Sequence, residues 1–215
     1  MLPTNLSNAD LRVLGALIEK QLSTPDHYPL SMNALIAACN QTTNRDPVTS
    51  HSDSEVSAAV DSLRRQSLVR SFQGSGERVP KYQHLLAEAC ELSAAETALL
   101  CVLMLRGPQT LAEIRTRAAR LLPDGDADAI QKAAESLASA EGPLVTVLAR
   151  RAGQKEVRYA HCLGDDVPAP EPTVATSAST TSGSPIDDLY EQIAALRSEH
   201  DALRAEFLEF RRQLE

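Results

Sequence analysis

The chain has 215 residues, of which 43% are hydrophobic and 23% are charged, as is typical of a globular protein. Aromatic residues make up only 3% and tryptophan is absent, so the core must be built from leucine, valine, isoleucine and alanine. Residues 164–215 carry 11 acidic and 4 basic side chains and account for almost all of the net charge of -8, so charge alone excludes neither nucleic acid nor protein as a partner of the preceding residues.

A capped helical pattern opens the chain and recurs in its second half. Leu6-Ser7-Asn8-Ala9-Asp10 precedes one set of apolar residues at helical spacing, and Leu92-Ser93-Ala94-Ala95-Glu96 precedes another. Serine before such a set is typical of a helix N-cap. The repeat therefore predicts two equivalent first helices. Their inward residues are Leu11, Leu14, Leu17 and Ile18 in the first, and Leu99, Leu100, Leu103 and Met104 in the second.

Second and third helices are also predicted in both halves. Short second helices of about ten residues follow Ser31 and Thr110. Third helices start at about Asp53 and Asp126, which are predicted as their N-caps. The residues predicted to face inward are Val56, Ala59, Val60 and Leu63 in the first half, and Ile130, Ala133, Ala134 and Leu137 in the second.

A β-hairpin is predicted after each third helix. Residues 68–72 and 79–84 flank a Gly74-Ser75-Gly76 turn, and residues 144–148 and 157–161 flank a turn around Gly153. Three helices followed by a hairpin is the order of a winged-helix unit. The alternative, an unrelated all-helical pair, does not account for two matched hairpins.

The sequence thus predicts a mainly α fold with small β-hairpins (α+β), formed by two tandem winged-helix domains and a C-terminal coiled coil. The first domain covers residues 1–88 and the second covers residues 89–163. Residues 164–185, rich in proline, alanine, serine, threonine and acidic residues, are predicted to form a disordered linker. The coiled-coil helix is predicted over residues 186–215.

Apolar residues in alternating steps of three and four define the coiled-coil segment, which predicts a parallel homodimer. The predicted dimerisation residues are Ile186, Leu189, Ile193, Leu196, His200, Leu203, Phe207, Phe210 and Leu214. His200 interrupts the apolar positions, either as a polar residue that sets the register or as a pH-sensitive contact. A helix that folds back onto the chain's own domains is the alternative to dimerisation.

Polar and basic residues in four regions are candidates for nucleic-acid binding. In the loop before the third helix of the first half, they would contact phosphates or base edges of a nucleic acid, or else hold the turn. In the other regions they would contact the nucleic-acid backbone, or else be ordinary solvated charges. The candidates are Asn40, Gln41, Asn44 and Arg45 in the loop; Arg64 and Arg65 at the end of the third helix; Arg70, Arg78 and Lys81 on the first hairpin; and Arg115, Arg117, Arg150, Arg151 and Lys155 in the second half.

Other classes of protein find no support in the sequence. We expect neither a catalytic site nor a cofactor, because no nucleophile, phosphate-loop, dinucleotide or metalloprotease motif is present. We expect no metal, because the four cysteines and five histidines lack paired ligand spacing. The longest apolar run, residues 98–105, is far shorter than a membrane helix, and residues 1–8 do not resemble a secretion signal, so we expect a cytoplasmic protein.

Several stretches resemble the YceH-like family of uncharacterised bacterial proteins. They include Leu17-Ile18-Glu19-Lys20-Gln21, Tyr28-Pro29-Leu30-Ser31, residues 38–48, Arg106-Gly107-Pro108-Gln109-Thr110 and Arg158-Tyr159-Ala160-His161. The resemblance covers most of residues 6–163 and implies a tandem winged-helix fold. It supplies no catalytic residues.

Two functional hypotheses follow. The first is a dimeric DNA-binding protein, such as a transcriptional regulator, in which the coiled coil brings weak binding units together. The second is a protein-interaction scaffold, because winged helices also serve as docking modules and the fold alone does not decide the function.

Overall fold

The structure is a computed structural model that describes residues 3, 5–73, 79–122, 127–140, 142–150, 154 and 156–164. Within these residues the chain is a mixed α+β protein with two small antiparallel sheets, in agreement with the predicted class. The predicted linker and coiled coil, residues 164–185 and 186–215, lie outside the described residues, except for Gly164.

Helix α1 (Asn8–Ser23) is the central element of the fold. Ser7 caps it, with a hydroxyl that accepts from the Asp10 backbone N–H while the Asp10 carboxylate accepts from the Ser7 N–H. The predicted inward face is buried, but so is every residue from Asp10 to Glu19, because α1 is packed by other elements on several sides. Charged residues of this helix are therefore buried with it.

The remaining helices follow the predicted order. They are α2 (Met32–Cys39), α3 (Asp53–Arg65), α4 (Leu86–Ala89), α5 (Ala94–Arg106), α6 (Leu111–Ala118) and α7 (Ala127–Ser139), with 3-10 turns at Pro25–His27 and Ala119–Leu121. The prediction of Asp53 as an N-cap is wrong, because Ser52 caps α3 and bonds reciprocally with Glu55. Asp126, the other predicted N-cap, lies outside the described residues. Helix α4 and the two 3-10 turns were not predicted.

Both predicted hairpins are confirmed. Strands β2 (Val69–Phe72) and β3 (Lys81–His84) pair antiparallel, as do β4 (Val145–Leu148) and β5 (Arg158–His161). In each half, the segment just before the second helix also pairs with the second hairpin strand. Strand β1 (Leu30–Ser31) lies against β3, and Gln109 forms a bridge with Tyr159 of β5. This added pairing strengthens the repeat beyond what the sequence predicts.

A single apolar core runs through both halves. Helix α1 packs against both α3 and α5, and α5 packs against α7. The inward residues predicted for the first and third helices are all buried. A methyl group added at Gly15 would lie 2.9 Å from Leu105 Cδ2, so the small residue lets α1 and α5 approach closely. The boundary between residues 88 and 89 stays a prediction.

Candidate nucleic-acid interface

Helix α3, the third helix of the predicted order, has opposite charges at its two ends. Its first turn exposes Asp53 and Glu55, and hydrogen bonds from the Ser52 backbone N–H and hydroxyl lower the pKa of Glu55. Its last turn exposes Arg64 and Arg65, which are two of the candidate nucleic-acid-binding residues. Arg64 pairs with Asp61 at 3.4 Å on the surface. Only the C-terminal end of α3 therefore favours a polyanion.

The first hairpin carries two of its three predicted basic residues within the described part of the chain. Arg70 is exposed on β2, and Lys81 is partly buried on β3 opposite Phe72. Arg78 lies outside the described residues. The hairpin thus adds the guanidinium of Arg70 to those of Arg64 and Arg65, although the three belong to different elements.

Side chains of the loop between α2 and α3 mainly hold that loop in place. The Asn40 amide donates to the His51 carbonyl oxygen and accepts from the His51 N–H, at 2.8 and 2.7 Å. Gln41 accepts from Lys20 Nζ at 3.1 Å and donates to the Thr43 carbonyl. Asn44, which has a φ of 59°, accepts from Arg106 at 3.1 Å. These contacts support the turn-holding interpretation for the amides.

Arg45 is a buried ion-pair partner and is not a surface cation. Its guanidinium donates to Glu19 Oε2 at 2.8 Å and to the Ala38 carbonyl at 2.7 Å, and the side chains of Arg45 and Glu19 are 0% and 1% exposed. Arg120 donates to the other oxygen of Glu19 at 2.5 Å. Burial raises the pKa of Glu19, but hydrogen bonds and charges from Arg45 and Arg120 outweigh it and lower the pKa overall. Arg45 is thus not available to a nucleic-acid phosphate in this conformation.

Arg12 secures the same loop from α1. It is 5% exposed and donates to the Pro47 carbonyl oxygen at 2.6 Å. Sequence reasoning missed both Arg12 and Glu19 as organising residues. The available signal was their occurrence within the first helix, where a charged residue on a buried helix needs a partner from another segment.

The predicted basic residues of the second half do not lie together. Arg115 of α6 donates to Gln131 of α7 at 2.7 Å, whereas Arg117 pairs with Glu113 at 3.8 Å. Arg150 is exposed after β4, and Arg151 and Lys155 lie outside the described residues. Arg115 and Arg150 line an open groove of about 440 Å³ between α6 and the second hairpin. The groove also contains Glu156 and Tyr159, so its lining is mixed in charge and polarity.

The charge of Arg117 acts on a different part of the protein, at the end of α5. Its charge and that of Arg120 act on Arg106 at the end of α5, where desolvation by burial and then these two neighbours lower the pKa of Arg106. The sequence indicates a basic cluster near the second helix. The sequence places Arg106 and Arg120 in that cluster with Arg117, but it does not indicate that Arg106 donates to Asn44, which is 62 residues away.

Two further properties concern the described residues only. No group of three or more histidine, cysteine, aspartate or glutamate side chains in them is arranged to hold a metal ion. No helix among them combines the length and apolar composition that a membrane crossing requires. The predicted dimerisation residues, from Ile186 to Leu214, lie outside this part of the chain.

The fold and this surface define a mixed α+β protein with a repeated helix-hairpin unit and patches of arginine. Residues 6–154 match the family model described as "Protein of unknown function, DUF480", and the chain belongs to this family. The predicted membership of an uncharacterised bacterial family is thereby confirmed, whereas the YceH name stays a prediction.

Relatives in several bacteria are similar over most of their length. A UPF0502 protein of Pelobacter propionicus is 46% identical, with 98% of each chain covered. A UPF0502 protein of Opitutus terrae is 46% identical over 89% of this chain and 83% of its own. One from Azoarcus sp. strain BH72 is 43% identical over 98% of this chain and 95% of its own. The likeness to the first and third therefore extends beyond residue 154 into the C-terminal part.

Proposed function

We propose that this chain is a DNA-binding protein and a regulator of transcription, built from two tandem winged-helix units. The observation that carries the proposal is the repeated unit itself: three helices, a hairpin, and a pairing of the hairpin with the segment before the second helix. In a winged-helix unit the third helix is the recognition helix, so α3 and α7 would lie at the major groove.

Exposed arginines near the first recognition helix support backbone contact. Arg64 and Arg65 end α3, and Arg70 is exposed on the following strand. Arginine presents a planar set of donors that suits phosphate oxygens, and such contacts give affinity without sequence specificity. The exposed acidic start of α3 would repel the backbone, so α3 would approach DNA with its C-terminal half.

A parallel homodimer, held by the heptad residues of 186–215, is part of the proposal. Two chains would bring together four winged-helix units, and joining weak binders raises their effective concentration. Light scattering of the full chain at micromolar concentration tests this part, and a monomer mass would contradict it. We further propose a cytoplasmic location and a role that involves no catalytic step.

Salt-dependent binding tests the DNA proposal directly. Fluorescence anisotropy of a labelled mixed-sequence duplex, measured between about 50 and 200 mM salt, should show affinity that falls steeply as counterions compete. Arg64→Gln and Arg70→Gln should each weaken binding and flatten the slope of log K against log salt by about one. Asp61→Asn, which removes an acid beside Arg64, is the matched control and should bind at least as well as the wild type. Undetectable binding at the lowest salt would contradict the proposal.

The second candidate function is a protein-interaction scaffold, favoured by apolar side chains exposed on both hairpins. Phe72 and Val147, which are 40% and 43% exposed, lie on β2 and β4, and Val79 and Val157 are exposed just before β3 and β5. Apolar side chains at such positions suit a protein partner better than a phosphate backbone. A native pull-down with wild type, Phe72→Ser and Val147→Ser separates the functions. The scaffold predicts a protein partner that these variants lose, without bound nucleic acid.

A further inference from the structure

Three arginines of the second half lie at or near the contact with the loop that precedes α3. Arg106 donates to Asn44 of that loop, and Arg120 donates to Glu19, which also accepts from Arg45 of the loop. Arg117 is three residues from Arg120, and the charges of both act on Arg106. Arg106 ends α5, Arg117 lies in the last turn of α6, and Arg120 lies in the 3-10 turn that follows. All three are partly accessible, and the side chains of Arg117 and Arg120 are 30% and 41% exposed. They form a set that we call the junction cluster.

Contacts within the protein hold two members of the junction cluster in place. Asn44 accepts from Arg106 at 3.1 Å, and the buried Glu19 carboxylate accepts from Arg120 at 2.5 Å. Arginine normally loses considerable side-chain freedom on binding a ligand. Because these guanidiniums are already positioned, a ligand would bind them at a smaller entropic cost.

The third member has unused donor capacity. Arg117 reaches Glu113 only at 3.8 Å, and its buried Nη1 has no hydrogen-bond partner among the described residues. Glu113 itself accepts from the Thr110 backbone N–H at 2.9 Å and from Arg158 at 3.3 Å, so its charge is shared. The ion pair with Glu113 is too long for a hydrogen bond, so an anion bound beside the accessible part of this guanidinium would supply a closer acceptor.

Positive charge also exceeds negative charge around the junction cluster. Glu19 is bonded to Arg45 as well as to Arg120, so one carboxylate serves two guanidiniums. The acids that act on Arg106 are Asp46 and Glu19, and their effect on its pKa is smaller than that of burial and of the neighbouring arginines. The local excess of cations produces a positive electrostatic potential that attracts anions.

We propose that the junction cluster is a phosphate-binding site, and that its ligand is a phosphodiester of the DNA backbone. The inference rests on the proposed function and adds a contact that lies apart from the recognition helices. Planar guanidiniums from three elements match the several oxygens of one phosphate group or of two adjacent groups. DNA would then contact the junction between the two winged-helix units as well as the units themselves.

Single neutralising variants of the full chain test this site. Arg106→Gln and Arg117→Gln should each reduce duplex affinity about tenfold, as expected for loss of a charge-assisted bond, and flatten the salt slope by about one. Glu88→Gln is the control, because Glu88 is exposed on α4, which the proposal places outside the DNA contact, and this variant should not weaken binding. Thermal melts verify that each variant is folded. Arg120 is left unchanged because it neutralises the buried Glu19.

The outcomes separate this site from the proposed function. Wild-type binding that Arg106→Gln and Arg117→Gln leave unchanged, or that Glu88→Gln weakens equally, would overturn the site and leave DNA binding intact. Isothermal titration with inorganic phosphate forms a second arm. The wild type could bind inorganic phosphate but no duplex, while both cluster variants lose phosphate binding. That result would support the phosphate site, and it would overturn both DNA as its ligand and the proposed function. Binding of neither ligand would overturn both proposals.

Discussion

Replacing Glu19 by glutamine tests how the loop before α3 and the second half are joined to α1. The Glu19 carboxylate is 1% exposed and bonds to Arg45, whose side chain is 0% exposed, and to Arg120. Glutamine keeps the size of the side chain but removes its charge, so Arg45 would stay charged in a buried site without a counter-ion. Breaking a buried pair in this way costs about 3–5 kcal/mol. At about 2–4 °C per kcal/mol, the melting temperature should fall by about 6–20 °C.

The assay is the free energy of unfolding in urea, followed by circular dichroism, for the wild type and two variants. Asp61→Asn is the control, because Asp61 pairs with Arg64 at 3.4 Å on the surface, where a pair is worth less than about 1 kcal/mol. Glu19→Gln should therefore destabilise the protein several times more than Asp61→Asn. Equal effects, each below about 1 kcal/mol, would refute the reasoning that the buried carboxylate holds the two segments together.

Acidification gives the same prediction a second readout. The pKa of Glu19 is lowered in the folded protein because bonds and charges from Arg45 and Arg120 outweigh the effect of burial. Its contribution to stability is therefore complete above the pKa of the unfolded state and is lost as the pH falls through the folded pKa. The Glu19→Gln variant should lose less stability than the wild type over this acidic range.

Three further changes test other parts of the fold. Burial lowers the pKa of His84 to about 4, so the wild type should lose about 2 kcal/mol from this group between about pH 6.5 and 5, and His84→Gln should flatten urea-measured stability there. Gly15→Ala should destabilise by about 1 kcal/mol in the same assay, because its methyl group would lie 2.9 Å from Leu105 Cδ2 and 3.0 Å from Leu105 Cγ, and the cost of overpacking exceeds the helix propensity that alanine gains; an unchanged or higher stability would contradict the close approach. Asn40→Ala should cost about 1–3 kcal/mol, because both backbone polar groups of His51 lose their partner, and a change below about 0.5 kcal/mol would contradict this role.

The elements with strong local signals were predictable from the sequence. Hydroxyl residues before periodic apolar runs located the helices, and the inward residues of α3 and α7 are buried as expected. The sequence predicts the cap of α3 one residue late, because Ser52 and Asp53 are both good capping residues and only the reciprocal bond with Glu55 distinguishes them. Strand β1 and the Gln109 bridge were not predictable, because segments of one or two residues are too short to show alternation.

The candidate site was less predictable, because the role of each side chain depends on contacts between segments that are distant in the sequence. Asn40, Gln41, Asn44 and Arg45 have the composition of a binding loop, but the same side chains are suited to capping and turn formation. The structure shows that Arg45 reaches Glu19, which is 26 residues away, and that Arg106 reaches Asn44, which is 62 residues away. A pattern within a short window contains no information about such partners.

Several arginines lie at helix ends, where the helix dipole alone can explain a positive charge without any binding role. Arg64, Arg65, Arg106 and Arg117 all lie in the last turns of helices, where the helix dipole favours a cation by about 0.3–1 kcal/mol. Their presence there therefore needs no ligand. The dipole does not explain why Arg106 and Arg120 both bond to the network formed by Asn44, Arg45 and Glu19. Their position beside one shared network, more than the number of arginines, favours the junction cluster as the contact for an anion.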